Sequence, residues 1–163
     1  MYYLNLIQSK IFSRDQLSKS VLNWKNENKK IVFTNGCFDL IHKGHIEYLA
    51  AAKDFGDKLI IGLNSDNSVK RLKGDLRPIN NQEARALLLA SLIFTDAIVI
   101  FDEDTPEEII KLYSPDVLVK GGDYQYNEIV GADHVINYGG KVEIIPLVEG
   151  YSSTNIIKNI SKK

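Results

Sequence analysis

The chain has 163 residues, of which 44% are hydrophobic and 25% charged, the ordinary composition of one globular domain. Its 20 basic and 21 acidic residues give a net charge of −1, which argues against a broad nucleic-acid or membrane-binding surface. A single cysteine, Cys37, excludes an internal disulfide and is typical of a reducing cytosol. We find no signal-peptide pattern at the N-terminus and no run approaching ~18 apolar residues, so we expect a cytoplasmic protein that does not span a membrane.

Short apolar runs rich in β-branched residues alternate with helical patterns along the chain. A helix is predicted at about residues 13–27. Five strands, each expected to be buried on both faces, are predicted at 30–36, 58–64, 96–101, 116–122 and 141–148. Further helices are predicted at 42–55, 81–93, 105–113 and 152–160. The helix at 105–113 is expected to begin with Thr105 as its N-cap and Pro106 as its first residue.

This alternation predicts an α/β fold, a Rossmann-like doubly wound parallel sheet with helices on both faces. We interpret residues 1–27 as an N-terminal helical extension and residues 28–163 as the domain that carries the function. In such sheets, ligands bind beyond the carboxyl ends of the strands, at the point where the strand order reverses. The search for a site therefore starts at the ends of the strands.

The segment TNGCFDLIHKGH (34–45) combines a glycine turn with two of the three histidines of the chain. Gly36 allows backbone N–H groups to approach a ligand, and the helix that begins near His42 turns its free amides toward the same place. His42 and His45 are three residues apart, so both project from one face of the first turn and can donate hydrogen bonds to phosphate oxygens. Gly44 between them removes a side chain that would block a bulky ligand.

The residues of this segment, taken alone, leave two interpretations open: a phosphate site, or an ordinary turn followed by a polar helix start. A zinc site is disfavoured because no cluster of cysteines or histidines offers a third ligand, so we predict no metal bound by protein side chains. Cys37 is not expected to be a nucleophile, because nothing in the sequence places a base beside it. Its backbone is expected to matter more than its sulfur.

The motif GCFDLIHKGH resembles the phosphate-binding signature of the HxGH nucleotidyltransferases, the cytidylyltransferase-like superfamily. From about residue 28 to the end, the chain is similar to the adenylyltransferase domain of bacterial bifunctional ADP-heptose synthase, in a free-standing form. The segments that carry this similarity are LNSDNSVKRLKGDLRPIN (63–80), FDEDTPEEII (101–110), PDVLVKGGDY (115–124), EIVGADHV (128–135) and IPLVEGYSSTNII (145–157). The first motif is specific to the superfamily only, whereas KGGDY, EIVGA and VEGYSST together are specific to this branch.

The resemblance implies transfer of AMP from ATP to D-glycero-β-D-manno-heptose 1-phosphate, which gives ADP-heptose and pyrophosphate for the lipopolysaccharide core. It also implies a homodimer. Mg²⁺ is expected because ATP arrives with it and the metal would neutralise the pyrophosphate. Many relatives are fused to a sugar kinase domain for which this chain has no room. We therefore expect a separate heptose kinase to supply the sugar 1-phosphate.

The resemblance also assigns residues to roles. Catalysis is assigned to His42, His45 and Lys73. Nucleotide binding is assigned to the same two histidines and to Asn35, Gly36, Cys37, Phe38, Arg77, Gly122, Ser152, Ser153 and Thr154. Binding of the sugar phosphate is assigned to Asp66, Lys73, Lys120 and Asp123. We interpret Lys70 and Arg71 as surface residues of a charged loop.

Two departures from the family pattern and several alternatives remain. Relatives often have Pro-Gly where this chain has Asp75 and Leu76, which makes the loop less constrained, and Ser-Thr-Thr where it has Ser-Ser-Thr at 152–154. One alternative is a cytidylyltransferase for glycerol phosphate or ethanolamine phosphate, or an enzyme that uses another nucleotide with heptose 1-phosphate. A second is a nucleotide-binding regulatory module that has lost catalysis. A flavodoxin-like binding domain is disfavoured because its phosphate loop needs more glycine, serine and threonine.

Overall fold

Six parallel strands form a single sheet in a computed structural model that describes residues 1–122, 124–146, 148 and 150–160. The strands are β1 (Ile11–Phe12), β2 (Ile31–Gly36), β3 (Lys58–Asn64), β4 (Ala97–Phe101), β5 (Val117–Gly121) and β6 (Lys141–Ile145). The helices of the described residues are α1 (Tyr2–Gln8), α2 (Arg14–Asn26), α3 (Lys43–Lys53), α4 (Asp66–Lys73), α5 (Gln82–Ala90), α6 (Glu107–Tyr113), α7 (Ala132–Asn137) and α8 (Ser153–Ile160). A short 3-10 helix lies at Tyr126–Glu128.

The order of the strands across the sheet is β1-β4-β3-β2-β5-β6, and every neighbouring pair is parallel. From β2 the chain moves outward through β3 and β4 on one side, then returns to build β5 and β6 on the other. The strand order therefore reverses between β2 and β5, which end at Gly36 and Gly121. This arrangement confirms the predicted doubly wound parallel sheet, and it places the crevice for a ligand between these two strand ends.

Helices cover both faces of the sheet because its central strands are apolar on both sides. One buried cluster joins the sheet to α2, α6 and α7 and includes Leu17, Phe33, Ile60, Ile110, Leu118 and Val135. The other joins it to α3 and α5 and includes Val32, Leu49, Ile61, Leu89 and Val119. Each such side chain contributes about 1.5–3 kcal/mol on burial, so the two clusters hold the strand ends rigidly beneath the site.

All five predicted strands are present, but one expectation about their burial is wrong. β6 is exposed in part, with Ile144 40% exposed, because it forms an edge of the sheet. The pattern of Ile and Val in the sequence does not distinguish an edge strand from a central one. The sequence patterns also failed to predict α1 and β1, which is only two residues long.

Two helix starts differ from the sequence prediction. The charged segment after Ser65 is the helix α4 and not a loop, because the Ser65 hydroxyl caps it by accepting from the Ser68 amide at 3.0 Å. α6 begins at Glu107, with Pro106 at the N-cap position and no side-chain cap, so Thr105 does not have the predicted role. Among the described residues, no helix is long and apolar enough to cross a membrane.

Candidate nucleotide-binding site

A cleft of about 290 Å³ opens at the carboxyl ends of β2 and β5, next to the reversal in strand order. Its walls come from the loop between β2 and α3, from the end of α4, and from the segment before α8. Of the predicted site residues, those that line it are Asn35, Gly36, Cys37, Phe38, His42, His45, Lys73, Ser152, Ser153 and Thr154. Segments far apart in sequence therefore meet at one place, as the parallel sheet requires.

The turn after β2 is shaped by one close approach between a backbone and an aromatic ring. Phe38 has a positive φ of 43°, which folds its ring back over the strand end. A Cβ atom at Gly36 would lie 2.9 Å from that ring, so this position accommodates only glycine without a shift of the ring. The turn therefore exposes the backbone of residues 36–38 to the cleft.

The two histidines lie parallel at the start of α3. His42 is the N-cap residue, and its Nδ1 accepts a hydrogen bond from the His45 amide at 3.4 Å. The imidazole rings stack with centroids 3.8 Å apart and planes 18° apart, and the Phe38 ring meets His45 edge-on at 5.2 Å. Within the described structure, Nδ1 of His45 is buried without a hydrogen-bond partner. This nitrogen is out of reach of a ligand in the cleft, and a backbone hydrogen bond with Leu40 contributes to the pKa of the ring.

Both imidazoles are neutral at pH 7. Burial lowers the pKa of His42. Burial, and then repulsion from Lys73 and from His42 when His42 is protonated, lowers the pKa of His45 to about 4. A neutral imidazole carries one N–H donor and one acceptor nitrogen. The pair can therefore donate hydrogen bonds to phosphate oxygens without the cost of burying two cations.

Lys73 supplies the fixed positive charge of the cleft. It is the last residue of α4, it is exposed to solvent, and its side chain lines the cleft together with the two histidines. Cys37 lies on the same wall, and burial raises the pKa of its thiol even though Lys73 opposes this shift. The thiol is thus protonated at neutral pH, in agreement with the expectation that its sulfur is not a nucleophile.

The start of α8 closes the third side of the cleft. The Ser153 hydroxyl donates to the carbonyl of Leu40 at 3.0 Å, so the C-terminal helix is attached directly to the histidine loop. Ser152 and Thr154 line the cleft beside it. Residues at the starts of both α3 and α8 thus line the cleft, and helix N-termini favour an anionic ligand.

Arg77, which the resemblance assigns to nucleotide binding, does not line the cleft but is bonded to Asp39, which does. Its Nη2 is buried without a hydrogen-bond partner among the described residues. Its Nε donates to the carboxylate of Asp39 at 2.5 Å, and Asp39 is 1% exposed. Asp39 also accepts from the amides of Ile79 and Asn80, at 2.7 and 3.2 Å. Asp39 therefore fixes the loop after α4 and does not cap α3, the role that a carboxylate before a helix usually has.

Asp66 was predicted to bind the sugar phosphate, and it too is paired inside the protein. Its carboxylate accepts from Nη2 of Arg85 at 2.7 Å. Arg85 is fully buried and also donates to the carbonyls of Cys37 and Asn80, at 2.6 and 3.0 Å. Sequence reasoning missed Arg85, although one signal was available: it is a single arginine in the apolar helix pattern ARALLLASLI.

The remaining predicted residues lie around the end of β5. Lys120 is half-buried, its Nζ donates to Oδ1 of Asn35, and burial lowers its pKa to about 8. Gly122 has a φ of 130°, which favours glycine, and its amide donates to the carbonyl of Ile145 at 3.0 Å. Neither residue lines the cleft itself. Asp123 lies outside the described residues.

Comparison with known proteins decides the family. The sequence model of the cytidylyltransferase-like family matches residues 33–159, which includes every wall of the cleft. The chain belongs to this family. Membership in the cytidylyltransferase-like family confirms the recognition of a nucleotidyltransferase from the HKGH motif.

Relatives in this family at about half identity carry one name. The "Bifunctional protein HldE" of Wolinella succinogenes is 54% identical over 153 residues, which are 94% of this chain and 31% of that protein. The proteins of the same name from Campylobacter jejuni and Geobacter sulfurreducens are 53% and 51% identical, over 96% and 94% of this chain and 32% and 31% of theirs. The chain thus spans about a third of the length of these relatives. Their identity over nearly the whole chain confirms the predicted similarity to a bifunctional bacterial protein.

Solved structures support the fold. The "lipopolysaccharide core biosynthesis protein" of Thermoplasma volcanium is similar with a TM-score of 0.60 and 27% identity, over 76% of this chain and 99% of that one. The pantoate-beta-alanine ligase of Francisella tularensis has a TM-score of 0.60 at 14% identity, over 93% of this chain and 76% of its own. The second similarity concerns the α/β fold alone.

Proposed function

We propose that this chain transfers AMP from ATP to D-glycero-β-D-manno-heptose 1-phosphate, forming ADP-heptose and pyrophosphate for lipopolysaccharide core synthesis. One observation carries the proposal most directly: two stacked, neutral histidines face a cleft at the reversal of strand order, where Lys73 and two helix starts meet. The motifs KGGDY and VEGYSST, together with relatives of 54% identity, favour the heptose branch over other branches of the family.

The reaction needs charge stabilisation and alignment, and no protein nucleophile. An oxygen of the sugar 1-phosphate attacks the α-phosphorus of ATP in line, a new P–O bond forms, and the bond to the β-phosphate breaks so that pyrophosphate leaves with the electron pair. His42 and His45 donate N–H groups to the oxygens on which charge grows. Removal of one such donor typically costs about 10²–10³ in rate.

The other residues divide between the two substrates. The backbone of residues 35–38 contacts the nucleotide, and Lys73 and the amides at the start of α8 bind its phosphates. Lys120 and Gly122 at the end of β5 mark the side from which the sugar phosphate approaches. Asp66 and Arg77 act by holding the loops of the cleft through their partners Arg85 and Asp39.

Mg²⁺ is expected to arrive with ATP and to be held by the phosphates. Among the described residues, no group of three or more His, Cys, Asp and Glu side chains is arranged to hold a metal. Asp39, the acidic residue of the cleft wall, already accepts from Arg77 and two backbone amides. The contribution of the metal would be to neutralise the pyrophosphate.

The proposal extends to the setting of the enzyme. A separate kinase for the heptose, a homodimeric state and a cytoplasmic location fit a chain that uses ATP and a phosphorylated sugar. The kinase and the homodimer follow from the resemblance, and the cytoplasmic location follows from the sequence features described above.

The main alternative is a cytidylyltransferase, and the name of the family favours it. Base selection depends on backbone contacts at the strand ends, so the test is the release of pyrophosphate with ATP, CTP, GTP or UTP. Each nucleotide is paired with heptose 1-phosphate, glycerol 3-phosphate or phosphoethanolamine. We expect turnover with ATP and heptose 1-phosphate. Turnover with CTP and not with ATP would refute the proposal, and nucleotide binding without turnover in any pair would indicate the regulatory alternative.

A further inference from the structure

Tyr151 extends the pair of histidines into a column of aromatic rings. It lies in the segment between β6 and α8 and lines the cleft beside the first turn of α3. Its ring centroid is 6.2 Å from that of His42, and the two planes are 31° apart. In order, the column consists of Phe38, His45, His42 and Tyr151.

The first turn of α3 is shaped to receive this tyrosine. A Cβ atom at Gly44 would lie 3.2 Å from Nδ1 of His42 and 3.3 Å from Cβ of Tyr151, closer than ordinary van der Waals contact. The absence of a side chain at Gly44 therefore allows the tyrosine and the imidazole to approach the same turn. This contact gives Gly44 a role inside the protein, in addition to the space for a ligand expected from the sequence.

Lys43, the first residue of α3, also contacts the ring of Tyr151. Its Nζ lies 5.5 Å from the centroid of the Tyr151 ring, within the range of a cation–π contact. The same ammonium is 3.2 Å from the carboxylate of Glu47, one turn further along the helix. Tyr151 is thus held between a charged side chain and an imidazole of the same helix turn.

We propose that Tyr151 is a positioning residue for the AMP transfer, because its ring keeps the imidazole of His42 stacked on His45 with its donor directed into the cleft. The inference rests on the proposed function, since it assigns Tyr151 to that reaction. Among the described aromatic contacts, the ring of His42 has two neighbours, His45 stacked at 3.8 Å and Tyr151 at 6.2 Å. An imidazole without the second neighbour samples more rotamers, which misplaces its N–H.

The contacts that support this role are made by the ring of Tyr151. The residue is 44% exposed, so it belongs to neither core cluster and its truncation leaves the packed interior intact. A phenylalanine keeps the ring, whereas a leucine removes it at similar size. These two variants separate positioning of His42 from a role of the hydroxyl group.

The kinetic test compares Tyr151→Leu and Tyr151→Phe with a matched control. Tyr138→Leu removes another tyrosine stacked on a histidine, with 6.3 Å between its ring and that of His134, outside the cleft. We expect Tyr151→Leu to lower kcat about 3–10-fold, the range of an aromatic pair, with little change in KM for ATP or in Tm. Tyr151→Phe and Tyr138→Leu should retain nearly full activity. An unchanged kcat in Tyr151→Leu, or equal losses in the Leu and Phe variants, would overturn the proposal.

A second readout needs no substrate, because the chain has only three histidines, whose ring protons can be followed by NMR. Tyr151→Leu should shift the His42 signals and leave those of His134 in place, and Tyr138→Leu should do the reverse. Unmoved His42 signals would overturn the proposal whatever the kinetics. If the wild-type chain itself shows no AMP transfer, the proposed function fails and the positioning role fails with it, while the NMR shift still reports whether the contact exists.

Gly44→Ala provides an independent check from the other side of the contact. The added methyl group presses on both His42 and Tyr151, while alanine favours the helix more than glycine does. We expect shifted His42 signals and a lower kcat without a lower Tm. Unshifted signals would show that the turn does not hold the ring, which would overturn the proposal.

Discussion

Two groups of charged or polar side chains adjoin the loop between β2 and α3, and they differ in their hydrogen-bond partners. The cleft group consists of His42, His45 and Lys73, which line the cleft. The buried group, named for its fully buried members Asp39 and Arg85, also includes Arg77 and the 30% exposed Asp66, and it forms two ion pairs of 2.5 and 2.7 Å. Sequence reasoning assigned members of both groups to substrate binding, yet the structure gives the buried group other partners.

The two groups differ in how far their polar atoms already have hydrogen-bond partners inside the protein. In the buried group, Arg85 donates to Asp66 and to two carbonyls, so its charge stabilises the loops that surround the cleft. Among the described residues, Nδ1 of His45 in the cleft group and Nη2 of Arg77 in the buried group are buried without a hydrogen-bond partner. Arg77 therefore keeps one unused donor beside the Nε that Asp39 accepts from, whereas Arg85 donates from all three of its nitrogens. A charged side chain near a site is therefore a candidate for binding only when its hydrogen bonds are not already made within the fold.

The largest expected effect comes from breaking the buried group. Arg85→Met leaves the carboxylate of Asp66 and the carbonyls of Cys37 and Asn80 without their donor. Removing one partner of a fully buried pair costs about 3–5 kcal/mol, and the 30% exposure of Asp66 places the expected loss toward the lower end of that range. We expect a large loss in the free energy of unfolding, measured by urea denaturation. Arg71→Met is the control, because Arg71 pairs at the surface with Asp104 and such pairs contribute about 0–1 kcal/mol. Equal losses in the two variants would contradict the division.

Lys73 should show the opposite behaviour. Lys73→Met removes an exposed ammonium group from the cleft, so the free energy of unfolding should change by no more than about 0.5 kcal/mol. The rate should fall about 10–100-fold, because a charge-assisted hydrogen bond to phosphate is worth about 1.5–3 kcal/mol. Lys70→Met on the same helix is the control, and pyrophosphate release is the measurement. A loss as large in the control would show that Lys73 has no special role.

The smallest effect is a pH dependence of stability that arises in the cleft group. The pKa of His45 is about 4 in the folded chain against an ordinary 6.5, so the unfolded chain binds more protons between these values. This contribution is fully present above pH 6.5 and is lost as the pH falls toward 4. We expect the urea midpoint to fall between pH 7 and pH 5, with a weaker fall in His45→Gln. An identical fall in the variant would assign the pH dependence to other groups.

Much of the fold could be predicted from the sequence because its signals are local. The four inner strands have β-branched residues on both faces, and their burial follows directly from that composition. β1 was not predicted because a strand of two residues is too short to show a hydrophobic pattern. α4 was not predicted because Val69 is its one buried apolar residue within a largely charged sequence. In both cases tertiary contacts decide the structure.

In the candidate site, too, the local features could be predicted from the sequence and the long-range contacts could not. The motif around His42 and His45 is contiguous, so its placement on a helix start follows from spacing alone. The partners of Asp39 and Asp66 lie 38 and 19 residues away, at Arg77 and Arg85, and no local pattern reveals such pairs. The approach of Tyr151 to His42 likewise joins residues from two distant segments.

The central claim is that the cleft group performs AMP transfer while the fold rests on other residues, and His45→Ala tests it most directly. Pyrophosphate release from ATP and heptose 1-phosphate is measured in parallel with the Tm of the variant. We predict a rate about 10²–10³ lower with only a small change in Tm, since the variant removes the contacts of a half-buried ring with His42 and Phe38 together with its buried, unpaired nitrogen. Activity equal to that of the wild-type chain would contradict the account.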